Sequence, residues 1–243
     1  MGQQPQTTQT TGLLIVCSKC NKPAEEAAWS AWYDDQHLPD LFAHAGDDAP
    51  KVATRFEQSR KPEPGMPGMG FSHVTIYEFA GADPLRKAAR LVGIDAELRA
   101  EGRILKTHSV IDAQTFTVHG PYATKPEPSA ALRGHILAWV FPNDPSRETE
   151  WTTWYDHEHV PDMMDSGAFA AATRWERSPR VAYGPNFITL YDVAHSTVDI
   201  AVQRSAAVMP GIIAAGRKHE THTGALTLTL VPTGRYRGTG YRG

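Results

Sequence analysis

A repeated aromatic motif constrains this chain of 243 residues more than any other feature. Residues 29–40 read WSAWYDDQHLPD and residues 151–162 read WTTWYDHEHVPD, with seven of twelve positions identical at an offset of 122. Two further matches keep the same order, ATRFEQS at 53–59 against ATRWERS at 172–178, and TH at 107–108 against TH at 221–222. Chance does not produce an ordered series of this kind, so the chain is predicted to contain two copies of one folding unit.

Within each copy the hydrophobic pattern predicts the order strand, helix, strand, strand, helix, strand. Short apolar runs rich in β-branched and aromatic residues mark the strands. Pro39 and Pro161 are expected to end the first helix of each copy, because proline lacks the backbone N–H that a helix interior needs. Glycines suit the C-terminal ends of the second helices, at Gly102 and Gly216.

A β-α-β-β-α-β order is that of a ferredoxin-like unit, with two helices on one face of a four-stranded sheet. The predicted fold class is therefore α+β, with two tandem ferredoxin-like units forming an α/β barrel in which each copy covers the other's sheet. The predicted boundaries are 12–118 and 133–231 for the two copies. The remainder is predicted to be a disordered tail, a Pro-rich linker and a basic Gly/Arg tail, at residues 1–11, 119–132 and 232–243.

Composition excludes several classes of partner. Lys and Arg number 24 against 27 Asp and Glu, a net charge of −3, so the chain as a whole carries no basic footprint for nucleic acid. No apolar run approaches the length of about 20 residues that a membrane span needs. The N-terminus has no apolar segment of the kind found in secretory signals. The expectation is a cytoplasmic protein with a small-molecule partner, and homodimer formation is left open.

The W-x2-W-Y-D-x2-H-x-P-D element resembles the signature of the EthD-like branch of the dimeric α/β-barrel superfamily, over residues 12–118 and 133–231. Such families usually pair two separate subunits, whereas this chain carries both copies. The resemblance implies a pocket between sheet and helices. Members of the superfamily include cofactor-free cyclases, lactone isomerases, decarboxylases and dehydratases of aromatic and polyketide-like compounds, and monooxygenases, some of them haem-dependent. The resemblance therefore implies a fold but does not fix a reaction.

The repeated motif supplies the first candidate site residues. Trp29, Tyr33 and His37 lie at i, i+4 and i+8 and share one helix face, with Trp32 beside them, which suits a flat aromatic ligand. Asp34 precedes His37 by three residues, where a carboxylate could hold the imidazole tautomer and raise its basicity. The same stripe is also typical of a helix face buried in the core. The second copy repeats the set as Trp151, Trp154, Tyr155, Asp156 and His159.

Three further pairs complete the candidate site: His108 and His222, Arg55 and Arg174, Tyr77 and Tyr191. The histidines begin the last strands and could complete an acid–base pair with the helix histidines. The arginines could neutralise a substrate carboxylate or enolate, although pairing with neighbouring acids is the favoured interpretation. The tyrosines are candidate hydrogen-bond donors in the pocket or core residues.

The main functional hypothesis is a cofactor-independent lyase or isomerase, of cyclase, dehydratase or decarboxylase type, acting on a small aromatic or polyketide-like compound. His37 and His159 would transfer the proton, oriented by Asp34 and Asp156. No cofactor and no metal ion are predicted, with haem or a metal ion left open. The first alternative is a monooxygenase or haem-binding protein on the same fold, and the second is a non-catalytic small-molecule binding module.

Overall fold

The computed structural model describes residues 9–59, 70–122 and 132–238, and the backbone of residues 241–242. Most of the predicted N-terminal tail and of the predicted linker lies outside these ranges, as does the Pro/Gly-rich loop at 60–69. The chain divides into two compact units. Unit 1 comprises residues 1–56, 62–117 and 233–243, and unit 2 comprises residues 57–61 and 118–232.

Unit 1 has the strand order β2-β3-β1-β4, and its central strand β1 is antiparallel to both β3 and β4. This is the strand order of a ferredoxin-like unit. The elements are β1 (Thr10–Cys20), α1 (Glu26–Trp32), α2 (Leu38–Ala45), β2 (Val52–Gln58), β3 (His73–Ala80), α3 (Pro84–Ala100) and β4 (His108–Val118).

Unit 2 repeats the arrangement, with the strand order β6-β7-β5-β8 and β5 antiparallel to both β7 and β8. Strand β8 continues beyond the predicted end of the last strand at Val231, and the short strand β9 pairs with its end. The elements of this half of the sequence are β5 (Gly134–Pro142), α4 (Glu148–Trp154), α5 (Val160–Asp165), β6 (Ala171–Arg177), β7 (Phe187–Val193), α6 (Val198–Ala214), β8 (His222–Arg237) and β9 (Tyr241–Arg242), and their residues from Thr233 onward are counted with unit 1.

Strand β1 is buried on both faces, which explains why its sequence does not alternate between apolar and polar residues. Leu13 and Ile15 point to one side and Leu14 and Val16 to the other, and each is at most 9% exposed. Leu14 and Val16 belong to the core that the helices of unit 1 form with the sheet. This core holds the aromatic residues of α1 in place.

Both long helices end at the predicted glycines. Gly102 has a φ of 74° and Gly216 a φ of 69°, in the left-handed region that favours glycine. The following residues close the helix ends, because Arg103 N–H donates to the carbonyl of Leu98 and Arg217 N–H donates to that of Ile212. These are Schellman-type ends, and the prediction from the sequence is confirmed.

The prediction that Pro39 and Pro161 end the first helices is wrong. A single wide π-helical turn, Tyr33–His37, follows α1, and α2 then continues with Pro39 in its first turn. Leu38 N–H donates to the carbonyl of Tyr33, five residues earlier. The wider turn accommodates the proline ring and its missing N–H, so the helix continues. Unit 2 has the same turn at Tyr155–His159.

Within the part of the chain that the structure describes, no helix combines the length and the apolar character that crossing a membrane requires.

One glycine inside α3 and one just after it provide a test of the helix end. Gly93 lies in the helix interior, where an added Cβ would approach nothing closer than 4.0 Å, so Gly93→Ala should raise the free energy of unfolding by about 0.5–1 kcal/mol. Gly102→Ala should lower it by about 1 kcal/mol, because alanine is strained at a positive φ. Urea unfolding of both variants measures the two effects. Changes of the same sign would contradict the assigned helix end.

Candidate functional site

Unit 1 contains a cavity of about 360 Å³ between its sheet and its helices. Strands β1 and β4 form one wall, and α2, α3 and the π turn form the other. The lining is mostly apolar, and its polar members are Tyr33, His37, Tyr77, Asp95, Arg99 and His108. Val92 and Val110 at the cavity are 48% and 40% exposed, so apolar side chains also reach the surface here. A cavity of this size and lining suits a small, largely apolar ligand.

The π turn places His37 against two aromatic rings. Its imidazole stacks on Trp32 at 4.9 Å between ring centroids and meets the edge of Tyr33 at 4.7 Å. The side chain is 3% exposed. A π turn inserted into an α-helix is frequent at functional sites, because it places side chains where a regular helix would not.

His108, at the start of β4, has a fixed tautomer. The indole N–H of Trp29 donates to Nδ1 of His108 over 3.2 Å. Because Nδ1 is the acceptor, the proton of the neutral imidazole lies on Nε2. This Nε2 is buried and has no hydrogen-bond partner among the described residues. His108 therefore offers an unused N–H donor at the cavity.

Burial keeps both cavity histidines neutral near pH 7. It lowers the pKa of His37 to about 3, and the neighbouring His108, Arg55 and Arg99 contribute in the same direction. Burial also lowers the pKa of His108 to about 4, with Arg99 and Arg55 adding to the effect. The expectation that a carboxylate raises the basicity of His37 is wrong, because desolvation and the neighbouring His108, Arg55 and Arg99 all disfavour the imidazolium.

The expected contact between Asp34 and His37 is not present. Asp34 instead accepts from Arg55, over 2.9 Å from Nη1 to Oδ2, and the guanidinium lies over the Tyr33 ring at 4.4 Å. Arg55 is fully buried and also donates to the backbone carbonyl and hydroxyl of Ser30. The carboxylate of the motif therefore neutralises a buried strand arginine. Neither Asp34 nor Arg55 lines the cavity.

The carboxylate closest to His37 comes from α3. Asp95 Oδ1 lies 3.9 Å from His37 Nε2, and Arg99 Nη2 lies 3.4 Å from Asp95 Oδ2. The internal repeat does not reveal either residue, because the second copy has Met209 and Ile213 at an offset of 114. A charged residue one turn after the buried Leu91, on the apolar face of α3, was the available signal.

The two tyrosines of the cavity form a hydrogen-bonded pair. The hydroxyl groups of Tyr33 and Tyr77 lie 3.1 Å apart, and Thr75 Oγ1 donates to the Tyr33 hydroxyl over 3.1 Å. Burial raises the pKa of both phenols, so both are protonated near pH 7. Trp29 and Trp32 lie behind this layer, buried in the core, and do not line the cavity.

Unit 2 repeats the aromatic residues and the two histidines of unit 1, but it has no counterpart of the Asp95 carboxylate. Trp151 N–H donates to His222 Nδ1 over 3.3 Å, and burial lowers the pKa of His159 to about 3 and that of His222 to about 4. His159 contacts the rings of Trp154 and Tyr155.

The strand arginine of unit 2 is also paired within the motif. Arg174 binds Asp156, and it lies over the Tyr155 ring at 4.4 Å. As in unit 1, the motif carboxylate holds an arginine and does not orient the helix histidine. Tyr191 packs on Phe169 in the core.

Three potential metal ligands converge in unit 1. His37, Asp95 and His108 each place one ligand atom within 4.8 Å of the others. The bond from Trp29 puts the His108 proton on Nε2, so this nitrogen is a donor rather than a ligand in the described geometry. The arrangement is better suited to proton transfer and hydrogen bonding than to a three-ligand metal centre.

No protein-family model matches the chain, and no curated protein matches it. Solved structures do, over nearly the whole chain. It is similar to an anthrone oxidase-like protein, with 12% identity, a TM-score of 0.57 and coverage of 96% of this chain and 95% of that one. It is also similar to a haem-binding protein from Thermus thermophilus, with 10% identity, a TM-score of 0.56 and 95% of each chain covered.

A third structure is a DypB variant from Rhodococcus jostii RHA1 in complex with haem, with 9% identity, a TM-score of 0.57 and coverage of 95% of this chain and 96% of that one. At sequence identities of 9% to 12%, the structural similarity establishes the fold alone. The predicted α+β class, with tandem ferredoxin-like units of the dimeric α/β-barrel fold, is confirmed. The EthD-like branch is not confirmed.

The prediction that the protein uses no cofactor is contradicted, because haem recurs among the proteins of this fold that the chain resembles. Haem would be held by a histidine nitrogen that is unprotonated and has open space in front of it. In unit 1 the Asp95 carboxylate lies 3.9 Å from His37 Nε2, and His108 Nε2 carries a proton. The unit 1 residues therefore do not fit haem. In unit 2 no carboxylate holds the position of Asp95, so His159 is the better candidate.

The low pKa of His37 predicts acid sensitivity. Between the ordinary pKa of 6.5 and the folded value of about 3, the unfolded imidazole binds a proton that the folded one does not, so stability falls as the pH falls. His37→Gln should reduce the stability lost between pH 7 and pH 5 by about 2 kcal/mol. Urea unfolding at both pH values measures this, with His195→Gln, at an exposed position, as the control. An unchanged loss in His37→Gln would contradict the burial of a neutral imidazole.

Proposed function

We propose that the chain is an oxidoreductase of the oxidase or monooxygenase kind, and that the unit 1 cavity binds its organic substrate. The observation that carries this proposal is the buried, neutral His37 at an apolar cavity, with the Asp95 carboxylate 3.9 Å from its Nε2. Support also comes from the proteins that share the fold, which include an oxidase-like protein and haem proteins. The substrate is a small, flat, mainly apolar molecule with an acidic C–H or O–H group.

His37 is the residue that takes the substrate proton. Burial is the main reason that its imidazole is neutral, because a buried imidazolium loses its hydration. An anion that forms beside the ring changes this balance, since the imidazolium then lies between the substrate anion and the Asp95 carboxylate. The proton affinity of His37 thus rises when it is needed, and the apolar walls keep water from competing for the proton.

Proton removal leaves an electron-rich carbanion or enolate, which dioxygen can oxidise. Anthrone is a suitable probe, because it is flat and has an acidic C–H group. The overall reaction is anthrone plus dioxygen giving anthraquinone plus water, so atoms and electrons balance. The chain's own contribution is to bind the ring system, accept the proton at His37 and exclude bulk water.

The test is anthrone oxidation, followed by oxygen uptake and anthraquinone absorbance above the uncatalysed rate. His37→Gln should lower kcat by about 10²-fold or more, the range expected for loss of a proton-transfer group. Asp95→Asn should lower kcat by about tenfold, because the imidazolium loses its counter-charge. His44→Gln is the matched control, since His44 lies on α2 outside the cavity. Full activity in His37→Gln would contradict the proposal.

A second candidate function is haem binding through His159. Unit 2 has Met209 at the helix position of Asp95, and burial keeps His159 neutral, which is the form that binds a metal. When bound, haem would supply redox chemistry to the protein. The role of the chain is then to present His159 from the π turn, in contact with the rings of Trp154 and Tyr155.

Titration of the purified protein with hemin tests this assignment through the Soret band. His159→Ala should weaken hemin binding by about tenfold or more, because it removes the axial nitrogen, and His37→Ala should leave it unchanged. Equal loss in both variants, or unaltered binding in His159→Ala, would show that His159 does not hold the group.

A further inference from the structure

We infer that the unit 1 cavity recognises its ligand through a carbonyl oxygen, which accepts hydrogen bonds from His108 and from the Tyr33–Tyr77 pair. The inference rests on the proposed function in that it names the substrate class of the same site: a flat ring ketone or the enolate derived from it. Trp29 is assigned as a positioning residue, because it acts on the ligand through His108.

The first donor is the His108 imidazole. Trp29 holds its Nδ1 as an acceptor over 3.2 Å, so Nε2 carries the proton. His108 is 3% exposed, lines the cavity, and its Nε2 has no partner among the described residues. A buried N–H without an acceptor is unfavourable, and an oxygen atom of the ligand would satisfy it.

The second donor follows from counting hydroxyl protons. Thr75 donates to the Tyr33 hydroxyl, and the Tyr33 and Tyr77 hydroxyls share one hydrogen bond over 3.1 Å. Each phenol carries one proton, and that shared bond uses only one of the two. The other remains for a ligand, and both phenols line the cavity. The Tyr33 and His108 rings meet edge to face with 5.7 Å between their centroids, so the two donors belong to neighbouring residues of the cavity wall.

The donors suit an uncharged ketone better than a carboxylate. The one cation that lines the cavity among the described residues is Arg99, whose side chain is 49% exposed and paired with Asp95 over 3.4 Å. The rest of the wall is mainly apolar. When the acidic C–H bond that is conjugated with the carbonyl through the ring system breaks, the proton moves to His37 and the electron pair is delocalised onto the oxygen. The two donors then stabilise the enolate oxygen, as in an oxyanion hole.

The experiment compares fluorenone with fluorene, which has the same ring system without the carbonyl group. Binding of each to the purified, hemin-free protein is measured by calorimetry. Fluorenone should bind about tenfold more tightly than fluorene, because only its oxygen satisfies the buried donors. Carbonyl-labelled fluorenone should show a downfield ¹³C shift on binding. Equal affinities for the two compounds would overturn the inference.

Variants show which residues are responsible for the preference for fluorenone over fluorene. His108→Leu should reduce the preference to the part that the Tyr33–Tyr77 pair supports, and His108→Gln should retain more of it, because the amide keeps an N–H donor. Trp29→Phe should weaken it and shift the His108 tautomer, seen in the ¹⁵N shifts of the imidazole. His222→Leu is the matched control in unit 2 and should leave the preference intact. An unchanged preference for fluorenone in His108→Leu, or a reduced preference in His222→Leu, would show that the assigned donor is wrong.

This test is independent of turnover and of haem. A fluorenone preference without anthrone oxidation would leave the ligand assignment standing and remove the proposed oxidation. Anthrone oxidation without a fluorenone preference would do the reverse.

Discussion

The bond from the Trp29 indole to His108 Nδ1 organises unit 1, because it joins the first helix to the start of the last strand. The bond occupies Nδ1 of the buried imidazole as an acceptor and thereby places the imidazole proton on Nε2. The same bond recurs between Trp151 and His222. The first tryptophan of each motif therefore determines the tautomer of a histidine that is distant in sequence, while its indole ring stays in the core.

The architecture could be predicted from the sequence because the same pattern occurs twice in the same order, which chance does not produce. The duplicated order of elements, the α+β class and the glycine-ended helices all depend on local preferences that appear twice. Pro39 was misinterpreted because a proline ends a regular helix, and the wide turn that admits it has no sequence signature that could be recognised in advance.

The site was only partly predictable. His37, His108, Tyr33 and Tyr77 do meet at one cavity, as expected for residues brought together by helix and strand ends. Asp34 was assigned to the wrong partner because spacing along a helix shows which residues are near, whereas the buried charge of Arg55 decides which pair forms. Asp95 and Arg99 were missed because only one copy has them. The sign of the His37 pKa shift depends on burial, which no spacing reveals.

The difference between Asp95 and Met209 has an evolutionary consequence. When a protein is assembled from two identical subunits, every substitution appears in both, so a residue that benefits one pocket is imposed on its twin. Joining the two copies in one gene removes this coupling. One half of the chain is then free to specialise in an acidic, proton-handling pocket, while the other drifts toward an apolar environment and a separate role.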